Sequence, residues 1–265
     1  SWLVDSFISI KRLGQYIYEI TFDTIPDYVE QTSFPISGCS SFVRDGKLYR
    51  NLDWTYSETA EFKVIAKGFE GMAFIDGIKD GEIKENHKNL YQLPYRICDG
   101  RNDAGLMVST HVLFNDFDFT GSGNKNITIT KLPYLILSTM TDINTVSAEV
   151  NELIENVKIP SGLGDMLIQV LVTDGTTTKL FTPTEDGYEY IDISSNPKLT
   201  NFKWVNRAIV NRTDNDIQLR PTGIERWNEI SEGVNYCANR INKIRCGCNK
   251  ASWENAKRAS LFNNR

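Results

Sequence analysis

The chain has 265 residues, a formal net charge of −5 and a composition that is 40% hydrophobic and 24% charged. Ordinary globular usage of this kind excludes collagen-like, coiled-coil and wholly disordered readings, and the acidic balance argues against a nucleic-acid partner. No apolar run approaches the roughly 18 residues that span a bilayer, so no membrane span is expected. The chain opens on Ser1 instead of Met. The expectation is that an upstream segment has been removed, which leaves any signal peptide outside the sequence.

In chain order, apolar residues at Leu3, Phe7, Ile8, Ile10, Leu13 and Ile17 predict a helix, with an extended stretch from Ile17 to Phe22. Pro- and Gly-containing turns at residues 25–27 and 33–38 make a connection leading to Cys39. Strands are predicted at Cys39 to Val43, Lys47 to Leu52, Phe62 to Lys67 and Leu106 to Leu113, with Asp45-Gly46 as a two-residue hairpin turn. Two amphipathic helices follow, one from Leu132 to Thr139 and one carrying Val146, Val150, Leu153, Ile154 and Val157, the second capped by Thr141-Asp142. Strands resume at Met166 to Thr173, Thr178 to Thr182 and Tyr188 to Ile193, separated by Asp174-Gly175 and Asp186-Gly187. Strands, then helices, then strands argue for an α+β fold. From Asn239 the chain turns basic and reads as a solvated helix or tail.

The residue inventory narrows the chemistry. His87 and His111 are the only histidines, too few for a His-rich metal site. Cys39, Cys98, Cys237, Cys246 and Cys248 contain no CxxC pair and make no even-numbered framework, so neither a zinc ribbon nor a disulfide scaffold fits. Free cysteines favour a reducing, cytoplasmic compartment. Gly121-Ser122-Gly123 does not complete a dinucleotide or phosphate-binding pattern. No cofactor and no metal is expected.

Chemistry concentrates in Gly38-Cys39-Ser40-Ser41-Phe42-Val43, the Asp45-Gly46 turn, and Tyr49-Arg50-Asn51-Leu52-Asp53-Trp54. A hairpin of this size brings the start of its first strand beside the end of its second, so Cys39 is expected to face Arg50 and Asp53. An opposite charge within about 4 to 6 Å favours the thiolate. No histidine is near in sequence to act as base. A cut between Gly38 and Cys39 would free an α-amine of pKa near about 7.7 to 8.0, suited to taking the thiol proton, and Asp53 would orient it.

These residues resemble a family of N-terminal-nucleophile cysteine hydrolases grouped around choloylglycine (bile salt) hydrolase, penicillin V acylase and acid ceramidase. The resemblance covers most of residues 39 to 230. Cys39 followed by Arg50-Asn51-Leu52-Asp53 is similar to the family's opening; Asn102-Asp103-Ala104-Gly105-Leu106 resembles its Asn-Glu-x-Gly-Leu turn; Leu199-Thr200-Asn201 resembles its Leu-Thr-Asn; and Pro221 to Arg226 falls where a second catalytic Arg is carried. The resemblance implies a four-layer αββα sandwich of two antiparallel sheets between helical layers. Residues 1–38 would be a pro-segment or small α-subunit, as in the acid ceramidase branch, and 39–265 the catalytic domain.

The implied reaction is hydrolysis of a linear amide through a thioester on Cys39, after autoproteolysis between Gly38 and Cys39. Arg50 would tune the thiol, Asp53 would hold the α-amine, Asn201 would contact the oxyanion and Arg226 would add positive charge. Trp54, Tyr56, His111 and Phe114, with Phe117 and Phe119 near them in sequence, would line the acyl pocket. The partner is a small N-acyl amide, and homo-oligomerisation stays open. Acyl transfer of the isopenicillin N acyltransferase type, and a non-catalytic protein keeping the fold, are the alternatives.

Overall fold

The structure, a computed structural model, describes residues 8–29, 38–53, 59–76, 83, 89–115, 129–156, 166–183, 188–200, 203–204 and 217–218. At residues 38–40, 51–53, 59, 76, 112–115, 166–167, 200, 203–204 and 217–218 the description is of the backbone. The first elements are β1 (Ile8–Gly14), β2 (Ile17–Phe22), β3 (Gly38–Arg44), β4 (Lys47–Asp53), β5 (Thr59–Ala66) and β6 (Phe69–Asp76). A 3₁₀ helix, Leu90–Arg96, precedes β7 (Asp99–Asn102) and β8 (Met107–Asn115). After a short 3₁₀ turn come α1 (Leu132–Thr139) and α2 (Ala148–Asn156), then β9 (Met166–Thr173), β10 (Thr178–Pro183), β11 (Tyr188–Asp192), β12 (Lys198–Thr200), β13 (Lys203–Trp204) and β14 (Ile217–Gln218). The fold is α+β.

Among the described residues eleven strands make one sheet, β1-β2-β5-β6-β7-β8-β9-β10-β11 with β13 and β14 attached at β8, and three make a second, β12-β3-β4. The pairings are antiparallel except β2 with β5 and β13 with β8. The β2–β5 pair is parallel because the β3–β4 hairpin, lying between them in sequence, is spent in the other sheet.

Alternation assigns the two faces of the large sheet. Ile20, Phe22, Phe62, Val64, Ala73, Val108, Val170, Val172 and Phe181 meet Leu90, Leu93, Ile97, Leu132, Ile136, Leu137, Val150 and Leu153 in one continuous core. Each such side chain removed from water contributes about 1.5–3 kcal/mol. The opposite face carries Ser109, His111, Gln169, Leu171, Thr173, Thr178 and Thr182, all buried. The small sheet covers it, β3 packing on β8. Helices, large sheet and small sheet are therefore stacked in that order.

Two expectations are corrected. Residues Ile8–Gly14 are a strand, not a helix, pairing with β2 from Ile8↔Phe22 to Gly14↔Ile17 with a bulge between Arg12 and Gly14. The Ile8-Ser9-Ile10-Lys11 alternation is the period-2 signal that governs here, and Tyr16, at φ 57°, closes the turn. Lys11 and Arg12 place charge on an edge strand, a usual guard against further pairing. The residues before Ile8 lie outside the described set. Second, Thr141-Asp142 does not cap α2. Ser147 does, its Oγ accepting from the Val150 N–H at 3.3 Å, while Asp142 Oδ1 accepts from Asn144 N–H at 2.5 Å in its own turn. The Asp186-Gly187 turn and the basic stretch from Asn239 fall outside the described residues.

Candidate active site

The site is organised by the β3–β4 hairpin. Asp45 and Gly46 have φ of 51° and 71°, the paired positive values of a type I′ turn, whose twist matches that of the flanking strands. This fixes the register: Gly38↔Asp53, Cys39↔Leu52, Ser40↔Asn51 and Ser41↔Arg50. Cys39 thus lies directly across from Leu52, with Asp53 and Arg50 to either side along β4. On the other flank β12 pairs Thr200 with Ser40 and Leu199 with Ser41. The hairpin's turn is docked as well, since a Cβ at Gly175, in the β9–β10 turn, would stand 2.9 Å from Gly46 O.

Arg50 is 7% exposed, and its guanidinium reaches across to the large sheet. Nη1 pairs with Asp99 Oδ1 and donates to Ser109 Oγ at 3.0 Å and to Cys98 O at 3.4 Å. Asp99 and Ser109 are register partners on β7 and β8, so both converge on one nitrogen. Burial raises the Asp99 carboxyl above its ordinary range, and Arg50 and Ser109 oppose that rise.

Ser109 Oγ lies 3.3 Å from His111 Nε2, which lies 2.7 Å from Ser41 Oγ. A serine against an imidazole nitrogen is a pattern that activates hydroxyls, and Ser41 and His111 are each 0% exposed. The two side chains tie β3 to β8. His111, expected to line a pocket, sits between the sheets.

The Asn102 to Leu106 turn is a structural clamp. Asn102 Nδ2 donates to Leu137 O at 3.2 Å and Met140 O at 2.8 Å, and its Oδ1 accepts from Leu106 N–H at 2.9 Å. Gly105, at φ 91°, supplies the left-handed step before β8. One side chain thereby joins the end of α1 to the start of the strand that carries Ser109 and His111.

Of the expected site residues, Cys39, Arg50 and Asp53 are brought together on one hairpin by backbone register. Phe114 lies on β8, opposite Met166 of β9 and Lys203 of β13. Trp54, Tyr56, Phe117, Phe119, Asn201 and Arg226 lie outside the described residues. Sequence reasoning missed Asp99, Ser109 and Ser41, which only the stacking of two sheets joins to Arg50 and His111. Among the described residues no group of three or more His, Cys, Asp or Glu could hold a metal ion, and no helix is long and apolar enough to cross a membrane.

No protein-family model and no curated protein matches the chain. Among solved structures, two variants of conjugated bile acid hydrolase from Clostridium perfringens are similar at 17% identity, each over 62% of this chain and 53% of that one, with TM-scores of 0.37 and 0.36. Penicillin V acylase from Agrobacterium tumefaciens is similar at 12% identity over 74% of this chain and 52% of that one, with a TM-score of 0.33. The chain spans about half the length of these structures.

Proposed function

We propose that this protein is a cysteine amidase of the N-terminal-nucleophile kind, with Cys39 as nucleophile, acting on linear N-acyl amides. The observation that carries the reading is the hairpin register, which sets the Gly38–Cys39 junction beside Asp53 and leaves Arg50 three residues along the same strand. The motif order Cys39, Arg50, Asp53 is thereby a spatial grouping as well as a spacing. β12 adds support, because its last residue Thr200 pairs with Ser40 and the next residue in the chain is Asn201.

The reaction has two stages. In processing, the Cys39 thiolate attacks the Gly38 carbonyl carbon, the C–N bond breaks, and the nitrogen leaves as the protonated α-amine of Cys39. Water then hydrolyses the thioester, releasing a Gly38 carboxylate and the free thiol. In turnover the α-amine takes the thiol proton, the thiolate adds to the substrate carbonyl, and Asn201 with backbone N–H groups holds the oxyanion. The α-ammonium returns its proton to the departing amine. Water, deprotonated by the same amine, then releases the acid. Arg50 favours the thiolate and Arg226 adds positive charge.

The test is to incubate the purified protein with a series of N-acyl amides and follow release of free amine, with Cys39→Ala as control. Release by the wild type and none by the variant is the expected result. Transfer of the acyl group to added amines without free acid would mark an acyltransferase, and no acyl chemistry with an unreactive Cys39 would mark a non-catalytic protein.

A further inference from the structure

A continuous polar chain crosses the interface between the sheets: Asp99, Arg50, Ser109, His111 and Ser41. It begins at a carboxylate on β7 and ends on β3, two residues beyond Cys39. A guanidinium held 7% exposed must have its charge answered, because removing the partner of a buried cation leaves its lost hydration uncompensated. Asp99 supplies that answer, and Ser109, its register partner, holds the same nitrogen. With Asp99 ionised the pair has no net charge, so the positive potential Arg50 presents to the hairpin is set by Asp99 as much as by Arg50.

We propose that Asp99 is a positioning residue that, with Ser109, fixes the Arg50 guanidinium between the sheets and thereby sets the pH at which the Cys39 thiol ionises. The inference rests on Cys39 being the nucleophile. Among the described residues, other titratable or charged groups on the surrounding elements include His111 on β8, Cys98 next to Asp99, Arg96 at the end of the 3₁₀ helix, Arg101 on β7, Glu70 on β6, Arg44, Lys47 and Asp53 on the hairpin and Lys198 on β12, with the Cys39 α-amine once the chain is cut. None of these is substituted in an Asp99 variant. Removing its charge takes one negative charge from beside Arg50 and raises the positive potential at the hairpin, which stabilises the thiolate and lowers the thiol pKa.

The experiment alkylates the full-length protein with iodoacetamide across pH and reads modification of Cys39 by peptide mass, with circular dichroism to verify folding. Asp99→Asn is expected to move the midpoint of Cys39 alkylation toward acid by roughly one unit, the scale of one charge close to a titrating group. Asp99→Glu, which keeps the charge, should restore most of the wild-type midpoint. Asp99→Ser, with room for water, is expected to shift in the same direction as Asp99→Asn and decides the matter should the Asn variant not fold. A folded neutral variant with an unmoved midpoint overturns the role of Asp99 and leaves the nucleophile reading intact. A wild-type Cys39 that reacts no faster than the protein's other cysteines overturns the nucleophile reading, and this inference with it.

Discussion

Gly38 and Asp53 are register partners at the open end of the β3–β4 hairpin. The peptide bond that follows Gly38 is the one the proposed processing breaks, so Asp53 is the nearest acidic residue on the paired strand. Asp53→Asn should slow the appearance of the cut chain by tenfold or more, general acid–base assistance contributing typically about 10²–10⁴-fold. Cys39→Ala should stay uncut. Intact-mass measurement over time after purification decides both, and a wild type that stays whole while fully active rules out the α-amine mechanism.

After the cut the N-terminal piece is expected to remain bound. Tyr18, Ile20 and Phe22 lie in the main core, and β2 pairs with β5 along its whole length. Beyond β2, Tyr95 Oη donates to Pro26 O at 2.6 Å, while Gln92 donates to Asp27 O at 3.0 Å and accepts from Val29 N–H at 2.9 Å. These contacts are the ground for expecting, after a cut, a small subunit and not a departing pro-segment. The two pieces should co-elute on size exclusion and separate only in denaturant; elution of the larger piece alone and still folded contradicts this.

Stability should fall on the acid side through Glu70. Lys63 Nζ reaches Glu19 at 3.6 Å and Glu70 at 3.3 Å, and Arg101 Nε reaches Glu70 at 2.7 Å, a charge ladder across β2, β5, β6 and β7. Burial raises the Glu70 carboxyl, but Lys63 and Arg101 together outweigh it and leave the group below its ordinary value. A depressed folded pKa contributes stability that is present above the unfolded pKa and is lost as pH falls through the folded one. Urea midpoints taken from pH 7 down to pH 3 should therefore drop less steeply for Glu70→Gln than for wild type. Parallel curves would remove Glu70 from the account.

Asn102→Ala should cost about 1–3 kcal/mol for each buried group it strands, here Leu137 O, Met140 O and Leu106 N–H. Chemical denaturation measures it. Asn102→Asp, which keeps the acceptor for Leu106 and loses the donor, should be destabilised as well. A loss below about 0.5 kcal/mol, the range of ordinary surface substitutions, would show that the clamp is dispensable.

Selectivity is expected on the acyl side. Trp54, Tyr56, Phe114, Phe117 and Phe119 are proposed to make an apolar wall, and each methylene buried there is worth about 0.8 kcal/mol against about 1 kcal/mol for a net hydrogen bond to the amine side. A matrix of acyl length against amine identity should show kcat/KM varying more along the acyl axis; the reverse pattern defeats the pocket assignment.

Much of this was legible where the signal is local. Asp45-Gly46 announced a two-residue hairpin turn, and the structure has it, as type I′. Met166 to Thr173, a run of mostly apolar residues ahead of Asp174-Gly175, is the strand it promised to be. Local pattern misled at residues 8–14, where a helical spacing of apolar residues coexists with alternation and the tertiary pairing with β2 decided the outcome. β7 was invisible because Asp99-Gly100-Arg101-Asn102 has no strand pattern of its own; it is extended because β6 and β8 flank it, and Gly100 is needed there since a Cβ would meet Glu70 O at 2.6 Å. The partners of Arg50 were unreadable for the same reason. Asp99 is 49 residues away, and only the docking of one sheet on another makes them neighbours.

The hydroxyl-rich layer between the sheets has a consequence for how they can meet. Gln169 Nε2 donates to Thr182 Oγ1 at 2.7 Å and Thr178 Oγ1 to Thr173 Oγ1 at 3.1 Å, alongside the Ser41, His111, Ser109 and Arg50 contacts. A greasy interface tolerates sliding, because apolar contact has no preferred direction. This one does not: moving the small sheet by a single residue would separate Ser41 from His111 and Arg50 from Asp99 at once, each loss leaving a buried group without its bond. The layer acts as a detent, trading some cohesive energy for a single docked position of the strand that carries Cys39.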